Sequence, residues 1–399
     1  MNASYTRRIF AYSKNLLAFI CLGISLLSCS ENSKKADTIV LHQTTVQLAP
    51  SEVYSPLEWI QLDDSLECTV GGCRRIIEDK DKLYLLENKY QNCVLVFNNK
   101  GKFIRKIGSR GQGPGEYSNP VDFALDKQSG KITILCDPST VYQYDSIGNF
   151  VTSKNLDETL LHRIGHTSSG YVASTDHFTY TEGDNAFLLY WFDDNFNIIG
   201  KAIPVLEEQI FTLPHFNGQL AIVGDKAYYN DLYTCKIYDC TTYKSHKEIF
   251  EYSLSNQMPI KKYLGMDYFE NQANYDHTIS IINLNDGVAI SAFMTGILDE
   301  FIIKFDGTVR CAGTVMMPSI TFHGNNNTLL SPISTEEYFS QWENSVLKPS
   351  NEIRPDDNLI LLRWKIKKTD NSTDAFKSIT WKSQIRLGDL IKILTPRRR

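Results

Sequence analysis

From residue 50 onward the chain is a succession of short apolar runs cut by turn residues. "KLYLLEN", "KITILCD", "AFLLYWF", "KAYYNDLYTCKIY" and "GVAISAF" are rich in Val, Ile, Leu, Tyr and Phe and are bounded by Gly, Asp, Asn or Lys. That composition and length predict β-strands. Helical periodicity is almost absent. The exception is "STEEYFSQWENSVL", where Ser334 and Glu337 have capping-box spacing and Tyr338, Phe339, Trp342, Val346 and Leu347 fall on one helical face. It predicts one short helical insertion in an all-β chain.

A turn signature recurs along these runs. An aromatic followed by Asp or Asn and a turn appears as "FNNKGKF" from Phe97, "YDSIGNF" from Tyr144, "FDDNFNI" from Phe192, "YDCTTYK" from Tyr238 and "FDGTV" from Phe305, at intervals of 47, 48, 46 and 67 residues. Asp and Asn tolerate positive φ and Gly adopts it freely, so each is hairpin chemistry. The long last interval holds "IKKYLGMDYFENQANYDH", which reads as an insertion. A period of about 45–50 residues with several strands per unit predicts a β-propeller of four-stranded antiparallel blades. Residues 50–368 have room for six blades, although only five carry the signature. Because an open ring would expose sheet edges, "SPLEWIQLDD" near the start and "PDDNLILLRWKIKK" near the end are expected to share the closing blade.

The N-terminus stands apart. Arg7, Arg8 and Lys14 precede a run of 12 apolar residues, Leu16 to Leu27, which suits a signal-peptide core and is shorter than the ~20 residues of a membrane span. The run ends in "LLSCS". A small residue before Cys29, directly after the apolar run, resembles the bacterial lipobox, although Leu27 is a less usual residue two places before the cysteine. The resemblance implies cleavage before Cys29 and acylation of its thiol and new amino group. The expected organisation is a signal peptide over 1–28, a flexible tether over 29–49, the propeller over 50–368 and a basic tail over 369–399. Losing residues 1–28 removes three bases and no acid, so the net charge falls from −5 to −8. That argues against nucleic acid or anionic lipid as a partner. Seven cysteines besides Cys29 lie beyond the leader, an odd number that cannot all pair internally. Cys68 and Cys73 flank "TVGG" and could close a small loop; most of the others read as small buried hydrophobes.

The stretch "IGSRGQGPGEYSNPVDFALD" invites a nucleotide reading. A dinucleotide fingerprint counted from Gly111 requires a third glycine where Glu116 stands, and the segment that follows is a strand, not a helix. No G-K-[ST] follows either, so no nucleotide is expected. The glycines instead permit a turn between two strands. "G-x-G-P-G-E-Y…P…FALD" closely resembles the NHL-type repeat. With "PLEWIQLDD" and "DDNLILLRW", the chain resembles the six-bladed β-propeller lipoproteins of Bacteroidota. That resemblance implies a lipid-anchored cell-envelope protein, periplasmic or surface-exposed, with no activity attached.

In propellers the connection between blades emerges near the central channel. Arg110, Glu116, Tyr117 and Asp122 occupy the first such connection and are expected at the channel face. His166 lies 22 residues past Tyr144 and His215 lies 23 past Phe192, so the two are expected at equivalent positions in adjacent blades. NHL-type lyases hold a metal with similar rings of histidine, and a third ligand here would be His162, His277 or His323. Lactonase-type propellers, with Glu, Asn and Asp about a divalent cation, are a second comparison. No single triad stands out. The expected role is therefore a non-catalytic scaffold without a cofactor, binding a protein, peptide or glycan; the alternative is a metal-dependent lyase or lactonase using His166 and His215.

Overall fold

The computed structural model describes residues 38–44, 53–156, 160–175, 187–205, 220–263, 265–313, 321–343, 349, 351–355 and 357–367. The expected leader with Cys29, the basic tail, Val346, Leu347 and His215 lie outside them.

The chain forms six blades. A first short strand, β1 (Ile39–Leu41), and a second, β2 (Tyr54–Gln61), precede the first blade. Blade 1 is β3 (Cys73–Asp79), β4 (Lys82–Glu87), β5 (Cys93–Asn98) and β6 (Phe103–Ile107). The connection to blade 2 holds a parallel pair, β7 (Ser109–Arg110) and β8 (Glu116–Tyr117). Blade 2 is β9 (Pro120–Leu125), β10 (Ile132–Cys136), β11 (Thr140–Tyr144) and β12 (Phe150–Asn155). Blade 3 is β13 (Arg163–Thr167), β14 (Gly170–Ser174), β15 (Phe187–Phe192) and β16 (Ile198–Pro204). Blade 4 is β17 (Leu220–Val223), β18 (Lys226–Asp231), β19 (Lys236–Asp239) and β20 (Lys247–Leu254), with β1 added outside β20 in parallel. Blade 5 is β21 (His277–Asn283), β22 (Gly287–Met294), β23 (Ile297–Lys304) and β24 (Val309–Gly313). Blade 6 is β25 (Phe322–His323), β26 (Leu329–Ile333) and β27 (Ile360–Ile366), completed by β2.

Both faces of a blade pack on neighbours, which is why strands such as Cys93–Asn98 and Ile132–Cys136 are buried almost without alternation. The core accordingly divides into wedges, one between each pair of successive blades. Tyr84, Val94 and Ile107 meet Phe123 and Ile134 between blades 1 and 2; Ile76, Leu85 and Leu95 meet Ile60, Leu330 and Leu361 between blades 1 and 6. That last wedge closes the ring. Cys235 and Cys240 lie in different wedges, on opposite faces of blade 4. Cys68, Cys73, Cys93, Cys136, Cys235 and Cys240 are free thiols.

The recurring turn now has a cause. The Asp or Asn after each aromatic folds back and accepts amide hydrogens from the hairpin that joins the two outer strands. Asn98 Oδ1 accepts from Lys100 and Lys102, Asp145 Oδ1 from Ile147 and Asn149, and Asp193 Oδ1 from Asn195 and Asn197, all at 2.8–3.0 Å. Asp239 and Asp306 make the shorter version, with Thr241 and Thr308. These bonds hold the Asp145 and Asp193 carboxyls below the usual carboxylate range. Blade 6 has no such signature because it has no such hairpin: its third and fourth strands, β27 and β2, come from opposite ends of the propeller.

Closure is reinforced by charge. Arg363 on β27 pairs with Glu58 on β2 and, at 2.6 Å, with Glu78 on β3. Asn358 accepts from the Val70 amide and donates to the Asp63 and Cys68 carbonyls. The predicted helix is a single turn, α2 (Thr335–Glu337), capped by Ser334, that widens into a π-turn over Tyr338–Trp342. It covers the closing strand by setting Tyr338 and Trp342 edge-on to Trp59. The insertion between blades 4 and 5 carries a second helix, α1 (Gly265–Asn271), absent from the sequence expectation. Part of the stretch read as a tether is also a strand. Ile39–Leu41 lies along β20 because Leu41, with Ile39 beside it, fills the wedge between blades 4 and 5.

One glycine tests the closure. Gly101, at φ +84°, would set a Cβ 2.0 Å from the Gln61 carbonyl at the end of β2, whereas Gly296, at φ +86°, faces open space. Both Gly→Ala changes carry the left-handed penalty of about 1 kcal/mol. Gly101→Ala is expected to lower the thermal unfolding midpoint clearly further than Gly296→Ala. Equal shifts in calorimetry would contradict the packing of this hairpin on β2.

Candidate functional site

The innermost strands β25, β3, β9, β13, β17 and β21 follow one another in contact round the axis. They wall a cavity of about 400 Å³ that runs along β3 from Gly72 to Glu78. Every blade contributes to it.

The most constrained group at this ring is Asp122 on β9. It is fully buried. Its Oδ2 accepts from Arg75 Nη1 on β3 at 2.8 Å and from the Ile164 amide on β13 at 2.9 Å. One carboxylate therefore joins blades 1, 2 and 3. Its Oδ1 finds no partner among the described residues. Burial lowers the pKa of Arg75; Asp122 opposes that shift, and the neighbouring Arg163 adds to it by repulsion.

Around this pair the cavity wall is basic. Arg74, Arg75, Lys127 and Arg163 line it, and among the described residues the one acid in the wall is Glu78, which Arg363 already pairs. His323 on β25 also lines it. Burial first, then Arg75 and Lys127, push its imidazole down to about 4, so it is neutral at ordinary pH. The His323 ring makes no hydrogen bond to another described residue.

His166 stands on β13 at the cavity wall, with Nδ1 3.8 Å from Asp126 Oδ1 and its ring edge-on to Tyr171 at 4.7 Å. Burial lowers its pKa, while Asp126, Asp194 and Asp225 pull the other way. His277 lies elsewhere, buried between the Tyr268 hydroxyl and the Tyr275 carbonyl. Among the described residues no three His, Cys, Asp or Glu side chains gather as metal ligands. A hydroxyl chain also reaches the cavity. Ser280 donates to Ser291, and Ser291 to Glu300 Oε2 at 2.8 Å; burial pushes the Glu300 carboxyl well above its usual range.

Asp122 and His166 thus stand on inner strands, but Arg110, Glu116 and Tyr117 do not stand with them. The reason is the path of the chain. The connection leaves β6, the outermost strand of blade 1, and must cross the blade before reaching β9. Its glycine-rich half stays at the rim, against Tyr142, Phe150 and Ser153 of the outer strands of blade 2. Glu116 turns onto the Gly113 amide at 2.9 Å, Arg110 is exposed, and Tyr117 is core between blades 1 and 2. Only from Pro120 does the segment reach the inner ring.

Sequence reading missed Arg75, Lys127 and Arg163. Arg75 had a signal: it lies 47 residues before Asp122, the spacing of the turn anchors Phe97 and Tyr144. Opposite charges at one repeat position in adjacent blades mark an inter-blade pair.

Residues 28–296 match the profile of the DUF5128 family, described as a 6-bladed beta-propeller. Among solved structures the chain is similar to a Bacteroides fragilis NCTC 9343 protein described as exported. They share 16% identity at a TM-score of 0.67, over 83% of this chain and 99% of that one. Weaker likenesses include the RRP9 WD40 repeats, with 7% identity and TM-score 0.44 over 79% of this chain and 100% of that one. BamB from Moraxella catarrhalis has 11% identity and TM-score 0.35 over 80% and 100%. At these identities the first likeness is one of fold. No protein of curated function matches the chain.

Removing Asp122 tests the three-blade joint. Asp122→Ala leaves Arg75 buried without its carboxylate, which costs about 3–5 kcal/mol. In denaturant unfolding, the Arg75→Met, Asp122→Leu double variant is expected to lose less than the two single losses added together. Simple additivity would show that the pair is not coupled.

Proposed function

The chain belongs to the DUF5128 family of six-bladed beta-propellers, and on that footing we propose that it is a non-catalytic binding module held at the cell envelope by an N-terminal lipid. The observation that carries the reading is the cavity. It is walled by all six blades, and its strongest polar contacts hold blades to one another rather than pairing a nucleophile with a base. The nearest approach to such a pair, Ser291 with Glu300, ends in a carboxyl whose burial favours the protonated form.

The anchoring half rests on the sequence. A basic start, 12 apolar residues and Cys29 after a small residue support export and acylation. The description of the Bacteroides fragilis protein as exported agrees with that location. In this reading residues 1–28 are removed and the acylated Cys29 joins the membrane. The face carrying Lys127 and His166 meets a protein, peptide or glycan. Nucleic acid is disfavoured by the net charge of −8 beyond the leader.

Two measurements separate the halves of this reading. A photoreactive residue in place of Lys127, irradiated in the native cell, is expected to recover a discrete crosslinked partner. One equivalent of tightly held divalent metal on the purified protein, together with turnover of a lyase or lactone substrate, would replace the binding module by an enzyme. For the anchor, Cys29→Ala is expected to abolish metabolic palmitate labelling, and labelling that persists would remove the lipid.

A further inference from the structure

We propose that the central cavity is a binding site for a small oxyanion, a molecule bearing a carboxylate or phosphate group, seated between Lys127, His323 and the Arg75 side of the inner ring. The inference rests on reading the cavity as a binding site, and does not depend on the lipid anchor.

Three observations carry it. First, the charge is opposite to that of the protein. The whole chain is acidic, with a net charge of −5, yet four fixed cations line the cavity against one acid among the described residues, and that acid is already paired. A cleft lined by one sign between low-dielectric walls concentrates ions of the other sign. Second, like charges stand close together in this wall. Arg75 answers Asp122, but Arg163 raises rather than relieves the local repulsion. Lys127, exposed at the end of β9, forms no ion pair with a described residue. Third, a polar ring is left waiting. His323 sits between the fields of Arg75 and Lys127 without a hydrogen-bond partner among the described residues. An anion beside it would satisfy all three at once, accepting from the lysine and the guanidinium and from an imidazole N–H. The volume, about 400 Å³, suits a small molecule rather than a chain.

The site is tested by isothermal titration of the full-length protein with inorganic phosphate and with citrate at low ionic strength. Glucose is the neutral control. Saturable one-to-one binding of one of the two anions, weakening as salt is added, is expected, and the tighter probe names the preferred group. Lys127→Gln and His323→Gln are each expected to weaken that binding about tenfold, with the thermal midpoint of Lys127→Gln unchanged because the side chain is exposed. The site is overturned if neither anion binds, if glucose binds equally, or if both variants bind as the parent does. A partner crosslinked at position 127 without any anion binding would overturn this site and leave the binding module standing. Anion binding with no crosslinked partner would support the site and count against the macromolecular partner.

Discussion

Blade 6 is built from two ends of the propeller, and the rest of the ring depends on that seam. β2 arrives from before blade 1 and lies antiparallel on β27, with Trp59 opposite Leu362. Without it the sixth blade would lack its outer strand, and blade 1 would lose Ile60 and Leu62 from its wedge. Each wedge is stable only because both its walls are held. Hydrophobic area brings the walls together, and Arg363, bridging Glu58 and Glu78, fixes which strands meet. Directionless packing and directed charge act at the same seam for that reason.

The inner ring repeats this division of labour. The wedges hold the blades radially, but the innermost strands touch over a narrow line. There a single buried carboxylate, Asp122, ties three blades. Whatever occupies the cavity meets walls whose spacing this joint fixes. The polar groups of the ring thus join three of the inner strands and set the charge of the space between them.

Much of the fold was legible because it repeats. The acid after each aromatic caps a hairpin, so Asp145 and Asp193 had to recur at one spacing, and the missing sixth copy followed from a seam that has no hairpin. The cavity was far less legible. Its lining comes from single positions on six strands, and the unequal insertions between them destroy the spacing after blade 2. The glycine-rich passage shows the opposite error. Its composition drew attention to Arg110, Glu116 and Tyr117, but glycine reports backbone freedom, and freedom is needed where the chain crosses the rim as much as where it meets a ligand. Gly108 is close-packed against Tyr117 and Gly115 against Phe150. Helix α1 escaped notice because seven residues are too few to establish a period.

The short parallel strand at Ile39–Leu41 has a mechanical consequence. It precedes β2 in the chain, so tension applied upstream reaches β1 first. There Leu41 is sunk in the wedge between blades 4 and 5, and the Thr44 amide, just beyond it, donates to Asp299 of blade 5. Strands lying side by side share a pull along their axis among all their rungs, and those rungs must shear together before the load passes on. β1 thus stands between the N-terminus and β2: a tug from upstream meets the grip of blades 4 and 5 before it reaches the seam that closes the ring.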